Sequence, residues 1–574
     1  MDNFSAFFFS AFFKRFFAHP LLVAFCMNAI VFVASLLLEN GKYSSLDDYF
    51  MSSVLTGAYG GEYDVHLYFI NVLYGYFLKP FYVLFPKVGW YAIFELLTVL
   101  ASFTAIAYVI IKRLGNKLGC MIALLLLVCV SFDVYMNVAF TQCAGVATAA
   151  GLLLAAVGNA EKKRLYLVFA CLFMVAGVIF RKDMFLVGVP TLAAFLSLGL
   201  VRDKKIWKGT LIALGLFALI YVGIGKFDAS HYRDNGYDYY AAYQGPRSYF
   251  GDGAFFDGEN FVAELQDRGL PARDYRYLRA WYFYDNNVFS LDSMRALIKI
   301  AERSRFEPNY IKMPFAVMRA LSDSLLQGRM WCWALLCLAL IYFSNRRNWY
   351  IPWMSLFLIS IPYAYLLLVN RVVGHVETGV WVYAVVFLLF FVDKEDFLGH
   401  ERTKSFLQII PLICIVSLII SGTYIAFDKV SNKKAKTDSK NNADWPAFLE
   451  YAKARPNDVF LLPFSRYKDL ARNIGYPYSS IEPGSWNNIF STGYWNIHLP
   501  QMNRELEKRG VANIIKDVWH NNVYVVSDER MLSLTPYYYE HYHEKLHVDT
   551  LASFGDIDLL KYRKGELENE ETQH

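Results

Sequence analysis

Two adjacent carboxylates, Asp47 and Asp48, follow the first apolar run of this 574-residue chain and are the residues best suited to chemistry. A carboxylate where a membrane helix meets water is costly unless it is paired or at work. Within hydrogen-bond reach of a hydroxyl it can take the proton as the oxygen attacks. Two neighbouring negative charges also push their pKa values apart, so the pair can divide roles. The bland alternative is that the pair caps a helix starting near Tyr49. A second polar cluster, Glu62, Asp64 and His66, follows the Gly60-Gly61 turn. Its groups suit an acceptor or a divalent metal, and equally a solvated loop. Cations stand at Arg181 and Lys182, at Arg371 and His375, and at Arg319 and Arg329.

The chain that must position these groups is 56% hydrophobic, 17% aromatic and only 19% charged, with a mean hydropathy of +0.27. That composition predicts a polytopic membrane protein. The net charge of +5 is spread in short basic clusters between apolar runs, which argues against nucleic acid as a partner. All eight cysteines lie in or beside apolar runs without a CxxC pair, so no disulfide framework and no zinc site is expected. Leu21 to Leu38 follows Lys14-Arg15 without a small-residue cleavage site and reads as an uncleaved span.

Spanning helices need about 20 apolar residues, and Lys and Arg mark cytoplasmic ends. These rules predict an all-α polytopic domain over residues 1–430 with about 11 transmembrane helices. Phe4 to Phe17 reads as an amphipathic surface helix or an extension of the first span. The spans begin with His19 to Leu38 and Trp90 to Ile111, and Leu67 to Phe85 is expected to lie in the outer interface rather than to cross. Spans 3 to 7 run from about Leu118 to Gly225. Spans 8 to 11 fall within Pro314 to Phe343, Tyr350 to Val369, Val380 to Val392 and Phe406 to Phe427. Outer loops are expected over about 39–89 and 226–312, the latter rich in tyrosines (Tyr232, Tyr237, Tyr239, Tyr240, Tyr243, Tyr249) suited either to sugar stacking or to an interfacial belt. The N-terminus is then cytoplasmic. A polar linker, 431–444, leads to an extracytoplasmic soluble α/β domain over 445–574. Its expected strands are Val459 to Pro463, Asn522 to Ser527 and Asp556 to Tyr562, with helices near Ala447 to Ala454 and Gln501 to Arg509. Ser485-Trp486-Asn487-Asn488 and Gly493-Tyr494-Trp495-Asn496 are of a type that binds carbohydrate, or packs as a loop.

Leu46-Asp47-Asp48-Tyr49 after span 1, then Lys79-Pro80-Phe81-Tyr82, then Trp90 to Lys112-Arg113-Leu114-Gly115, together with this topology, resemble the GT-C superfamily of integral-membrane glycosyltransferases. The likeness covers roughly residues 1 to 430 and is greatest to the protein mannosyltransferase and aminoarabinose transferase type. The resemblance implies a GT-C-like fold and a polyprenyl-phosphate-linked sugar as donor, with an envelope glycan, glycolipid or teichoic-acid-like polymer as acceptor. It also implies a prokaryotic plasma membrane location and a single displacement with inversion. A first-loop acid would be the general base, with Asp48 the first choice and Asp47 the second. Arg181, Lys182, Arg371, His375, Arg319 and Arg329 would neutralise the leaving phosphate. No cofactor is then required, and a divalent metal is the lesser alternative. A polymerase or ligase using a diphosphate-linked oligosaccharide is the runner-up, and a transporter the non-enzymatic reading.

Overall fold

The computed structural model describes residues 18–38, 42–202, 207–252, 256–305, 310–325, 329–343, 349–369, 372–391, 444–474, 476–527 and 533–565. The expected surface helix at Phe4 to Phe17, span 11 and Arg371 lie outside the described residues. Helix α1 (Pro20–Leu38) leads through strand β1 (Lys42–Tyr43) to α2 (Leu46–Leu55), α3 (Val72–Leu84) and α4 (Trp90–Leu114). A bent helix follows, α5 (Asn116–Leu126) and α6 (Phe132–Met136), joined by a π-turn at Leu127–Ser131. Strand β2 (Asn137–Val138) precedes α7 (Phe140–Glu161), α8 (Arg164–Val187), α9 (Val189–Arg202) and α10 (Trp207–Asp234).

Seven helices are long and apolar enough to cross a membrane: α1, α4, α5–α6, α7, α8, and the later α17 (Ile351–Leu368) and α18 (Gly374–Phe391). They mark a membrane protein, with seven rather than eleven candidate spans among the described residues. The shortfall has local causes. α9 has only 14 residues. The region expected as span 8 holds two short helices, α15 (Met313–Leu325) and α16 (Arg329–Phe343). α10 stands outside the seven, with its side chains described only in part. α3, with 13 residues and Asn71 as its N-cap, is too short to span, and its face of Tyr76, Phe77, Val83 and Leu84 is exposed. Between α10 and α15 the expected long loop is largely helical: α11 (Asp238–Gly251), α12 (Gly258–Asp267), α13 (Asp274–Arg279) and α14 (Leu291–Ala301). Tyr232, Tyr240 and Tyr243 are buried there and belong to the core.

The central helix is α7, buried along most of its length. Lipid supplies no hydrophobic drive for helix pairing, so close backbone approach through small residues takes its place. A Cβ built on Gly145 would stand 2.8 Å from the Gly379 Cα of α18, and one on Gly177 of α8 would meet Thr148 Oγ1 at 2.1 Å. At one end of the bundle Glu161 accepts from Lys112 at 2.7 Å and pairs with Lys163 at 2.9 Å.

The other end carries the α/β domain, built from α19 (Trp445–Lys453), β3 (Val459–Leu462), α20 (Phe464–Ile474), β4 (Ile489–Ser491), α21 (Pro500–Lys508), β5 (Val523–Val526), α22 (Leu534–Tyr542), β6 (Leu546–Phe554) and β7 (Ile557–Lys564). The sheet order is β4-β3-β5-β7-β6. β3 runs parallel to β4 and β5, and the β6–β7 hairpin adds antiparallel. The three expected strands and two expected helices are present, and β4, β6, α20 and α22 join them. The domain packs into one hydrophobic core with the helical part. Phe50 of α2 stacks on Tyr467 of α20 at 4.5 Å, and the Gly57 and Ala58 carbonyls accept from the Gly484 and Trp486 amides.

Gly145→Val is expected to destabilise the folded chain in detergent by about 1–3 kcal/mol through overpacking, read as a lower thermal unfolding midpoint. Gly215→Ala on α10, where an added Cβ meets nothing within 4 Å, is expected to leave the midpoint unchanged or raised.

Candidate active site

The site is built on a short loop pinned from two sides. β1 pairs in parallel with β2, setting Tyr43 against Val138, and the Ser44 amide donates to the Val138 carbonyl at 2.9 Å. Ser45 then caps α2, accepting from the Asp47 amide at 3.1 Å. The cap is therefore Ser45, which leaves Asp47 and Asp48 in the first turn, where the helix dipole favours negative charge.

Successive residues of a helix point about 100° apart, so the two carboxylates separate. Asp47 lines a cavity of ≈ 920 Å³ between the helical bundle and the α/β domain. Its Oδ2 accepts from the Ser45 hydroxyl at 3.0 Å, and its Oδ1 accepts from the Tyr494 hydroxyl. Burial, followed by the charge of Asp47, pushes the Tyr494 phenol well above its ordinary range, so it stays a donor.

Asp48, the expected first-choice base, is fully buried and does not line the cavity. Its Oδ1 accepts from the Tyr91 hydroxyl at 2.7 Å and from the Phe140 amide at 3.2 Å. It caps a helix after all, but that helix is α7, whose own N-cap Ala139 has no side-chain acceptor. Burial pushes the Asp48 carboxyl up to about 7, against hydrogen bonds from Tyr91, Glu95 and the Phe140 amide. Glu95 of α4 is equally buried, and its oxygens find no donor among the described residues.

Arg181 also lines the cavity. It sits at a break in α8, with φ −163° and ψ 106°. The Asn71 amide donates to the Ile179 carbonyl beside the break at 2.9 Å. The Arg181 guanidinium donates to Thr141 Oγ1 at 2.7 Å, lies 5.1 Å over the Phe140 ring and stands 3.9 Å from Asp183. His375, at the start of α18, lines the same cavity half-buried. Lys182 is exposed outside it, and Arg319 of α15 is exposed and not part of the lining. Arg329 begins α16, with its side chain outside the described residues.

Asp64 and His66 come together, but not at the cavity. His66 Nδ1 lies 2.6 Å from Asp64 Oδ1, Tyr237 donates to Asp64 Oδ2 at 2.6 Å and Gln501 of α21 donates to the same oxygen. Burial opposes ionisation of Asp64, and the hydrogen bond and charge of His66 overcome it, holding the carboxyl below its ordinary range. Tyr237 stacks on the His66 ring at 3.6 Å. This is a clamp between the loop, α10–α11 and the α/β domain. Glu62 is exposed apart from it. Among the described residues no group of three or more His, Cys, Asp or Glu is placed to hold a metal.

Four residues join the site without having been singled out for it: Arg247, Trp281, Lys468 and Arg472, all lining the cavity. Arg247 of α11 is only 2% exposed. Its Nε donates to Gln244 at 2.7 Å, its guanidinium lies 5.0 Å over Trp281, and its buried Nη1 has no hydrogen-bond partner among the described residues. Another part of the lining is apolar, with Leu186, Val187, Pro190, Ile361, Tyr365 and Leu366 from α8, α9 and α17, and Ile361 and Tyr365 are exposed. The arrangement is amphipathic: an apolar wall for a chain, a carboxylate held by two hydroxyls, and cations for an anion.

A carboxyl whose folded pKa is raised stabilises fully below its ordinary range, near about 4, and loses that contribution as pH rises through about 7. The unfolding midpoint is therefore expected to fall between about pH 5 and pH 8, and Asp48→Asn, which mimics the protonated acid, is expected to flatten that slope in a fluorescence melt. Compared with known proteins, the chain matches no family model, no curated protein and no solved structure.

Proposed function

We propose that the chain is a membrane glycosyltransferase that moves a sugar from a polyprenyl-phosphate donor to a cell-envelope glycan, glycolipid or teichoic-acid-like acceptor, with Asp47 as general base. The observation that carries this reading is the amphipathic cavity, in which one oriented carboxylate and a buried arginine with an unpartnered Nη1 face a lipid-side apolar wall. A lipid-linked sugar phosphate needs those three surfaces at once.

In the reaction the acceptor hydroxyl attacks the anomeric carbon and the new C–O bond forms as the bond from that carbon to the phosphate oxygen breaks. The leaving electron pair stays on the phosphate, and the hydroxyl proton passes to the free lone pair of Asp47. A single displacement inverts the anomeric configuration. Ser45 and Tyr494 hold the carboxylate in one orientation, as a general base requires. Arg181 and Arg247 take the phosphate, for which a guanidinium fork matches two oxygens, in a site where burial strengthens each charge contact. The apolar wall of α8, α9 and α17 receives the polyprenyl chain, with the cavity on the extracytoplasmic face of a prokaryotic plasma membrane.

The test is transfer of labelled sugar by membranes supplied with a panel of polyprenyl-phosphate sugars. Asp47→Asn is expected to lower the rate by about 10²–10⁴, and Arg247→Gln to raise KM for the donor by about tenfold or more. Asp48→Asn is expected to keep the larger part of the activity. Full transfer by a folded Asp47→Asn protein overturns the proposal.

A further inference from the structure

We infer that the α/β domain is the acceptor-recognition module of this site and that the acceptor is an anionic glycan, held through its phosphate or carboxylate groups by Lys468 and Arg472. The inference rests on the glycosyltransferase reading and adds to it the chemical class of the acceptor.

The sheet aims the domain at the cavity. β3 and β4 are parallel neighbours, and open α/β sheets bind ligands outside the carboxyl ends of such strands. From the end of β3, Pro463 leads directly into α20, and from the end of β4 the chain runs to Tyr494 and Trp495. All the residues this domain gives to the cavity come from those two strand ends: Phe464, Lys468, Arg472, Tyr494 and Trp495. Phe464, Lys468 and Arg472 stand four apart and so share one helix face, while Tyr467, Leu470 and Ala471 turn into the domain core.

Two like charges at i and i+4 face each other across one helical turn and weaken the helix. Burial, and next the Arg472 charge, hold the Lys468 ammonium below its ordinary range. Neither side chain makes an ion pair or a side-chain hydrogen bond among the described residues. Within the chain that repulsion is offset only by the charge of the neighbouring Asp469, without an ion pair, and an anionic ligand would supply a direct partner. Ring stacking is not the main attraction left for a glycan. Phe464 packs on both Trp281 at 4.4 Å and Tyr494 at 5.2 Å, and those two rings stand 6.2 Å apart, so the three rings cluster on one another. The donor phosphate already has Arg181 and Arg247 beside Asp47, and the two charges of α20 are surplus to it.

The test is binding to the full chain in phosphatidylcholine nanodiscs, by tryptophan fluorescence, of three probes: oligogalacturonate, short poly(glycerol phosphate) and neutral maltoheptaose. At least one anionic probe is expected to bind tenfold or more tightly than maltoheptaose, to weaken with added salt, and to lose tenfold or more in the Lys468→Gln/Arg472→Gln protein. The tighter anionic probe distinguishes phosphate from carboxylate. Lys468→Arg is expected to keep the affinity, and an unchanged melting midpoint controls for folding. Equal binding of all three probes, or unchanged anionic binding in the double variant, overturns the inference. Asp47→Asn separates the two readings: it should abolish transfer while leaving probe binding intact. Loss of charge-selective binding sinks the acceptor class alone, and retained transfer sinks the catalytic reading alone.

Discussion

The hydrogen bond from Tyr494 to Asp47 joins the two halves of the molecule at the point where the cavity forms. A hydrogen bond to a charged group contributes about 1.5–3 kcal/mol, and leaving such a group buried without its partner costs more. The contact alone would not hold a domain in place. It is supported by the Phe50–Tyr467 stack, by the Gly57 and Ala58 carbonyls that accept from the Gly484 and Trp486 amides, and by Gln501 on Asp64. Gly57 has φ +76°, and a Cβ there would strike the Glu62 backbone at 2.7 Å, so the turn that presents those carbonyls needs glycine. The loop after α1 is thus a clamp as well as part of the cavity wall.

Three carboxylates near this loop, Asp48 and Asp64 buried and Asp47 half-buried, have different surroundings. Asp47 keeps a face toward open space and two hydroxyl donors. Asp48 is sealed among Tyr91, Glu95 and the start of α7, where burial pushes its carboxyl up to about 7. Asp64 is saturated by His66, Tyr237 and Gln501 and serves as a strut. Burial raises the cost of a charge and partners lower it, so of the three only Asp47 combines a charge with an accessible lone pair.

Much of this was legible in the sequence. The long apolar runs became α1, α4, α7, α8, α17 and α18, because about 20 apolar residues have few other uses. Of the polar residues singled out after the first span Asp47 lines the cavity, and so do Arg181 and His375. Which of two adjacent aspartates faces the cavity was not legible, because a rotation of one residue along α2 decides it and only the tertiary contacts set that rotation. Arg247 was hidden among tyrosines, since nothing in Tyr243-Gln244-Gly245-Pro246-Arg247 says that the arginine is buried. α20 carried a readable signal in Tyr467, Leu470, Ala471 and Ile474, at helical spacing opposite Lys468 and Arg472. The count of eleven spans is not confirmed: seven stand among the described residues, where α9 and α15–α16 are short, and hydropathy alone does not give the length of a helix.

The most direct test is a cryo-EM structure of the full chain in lipid nanodiscs with a long-chain polyprenyl phosphate bound. The phosphate is expected in the cavity within hydrogen-bond distance of Arg247 Nη1, with the prenyl chain along α17 and the Asp47–Tyr494 hydrogen bond intact. A lipid phosphate bound elsewhere on the bundle, or an α/β domain withdrawn from Asp47 in the loaded protein, would contradict it.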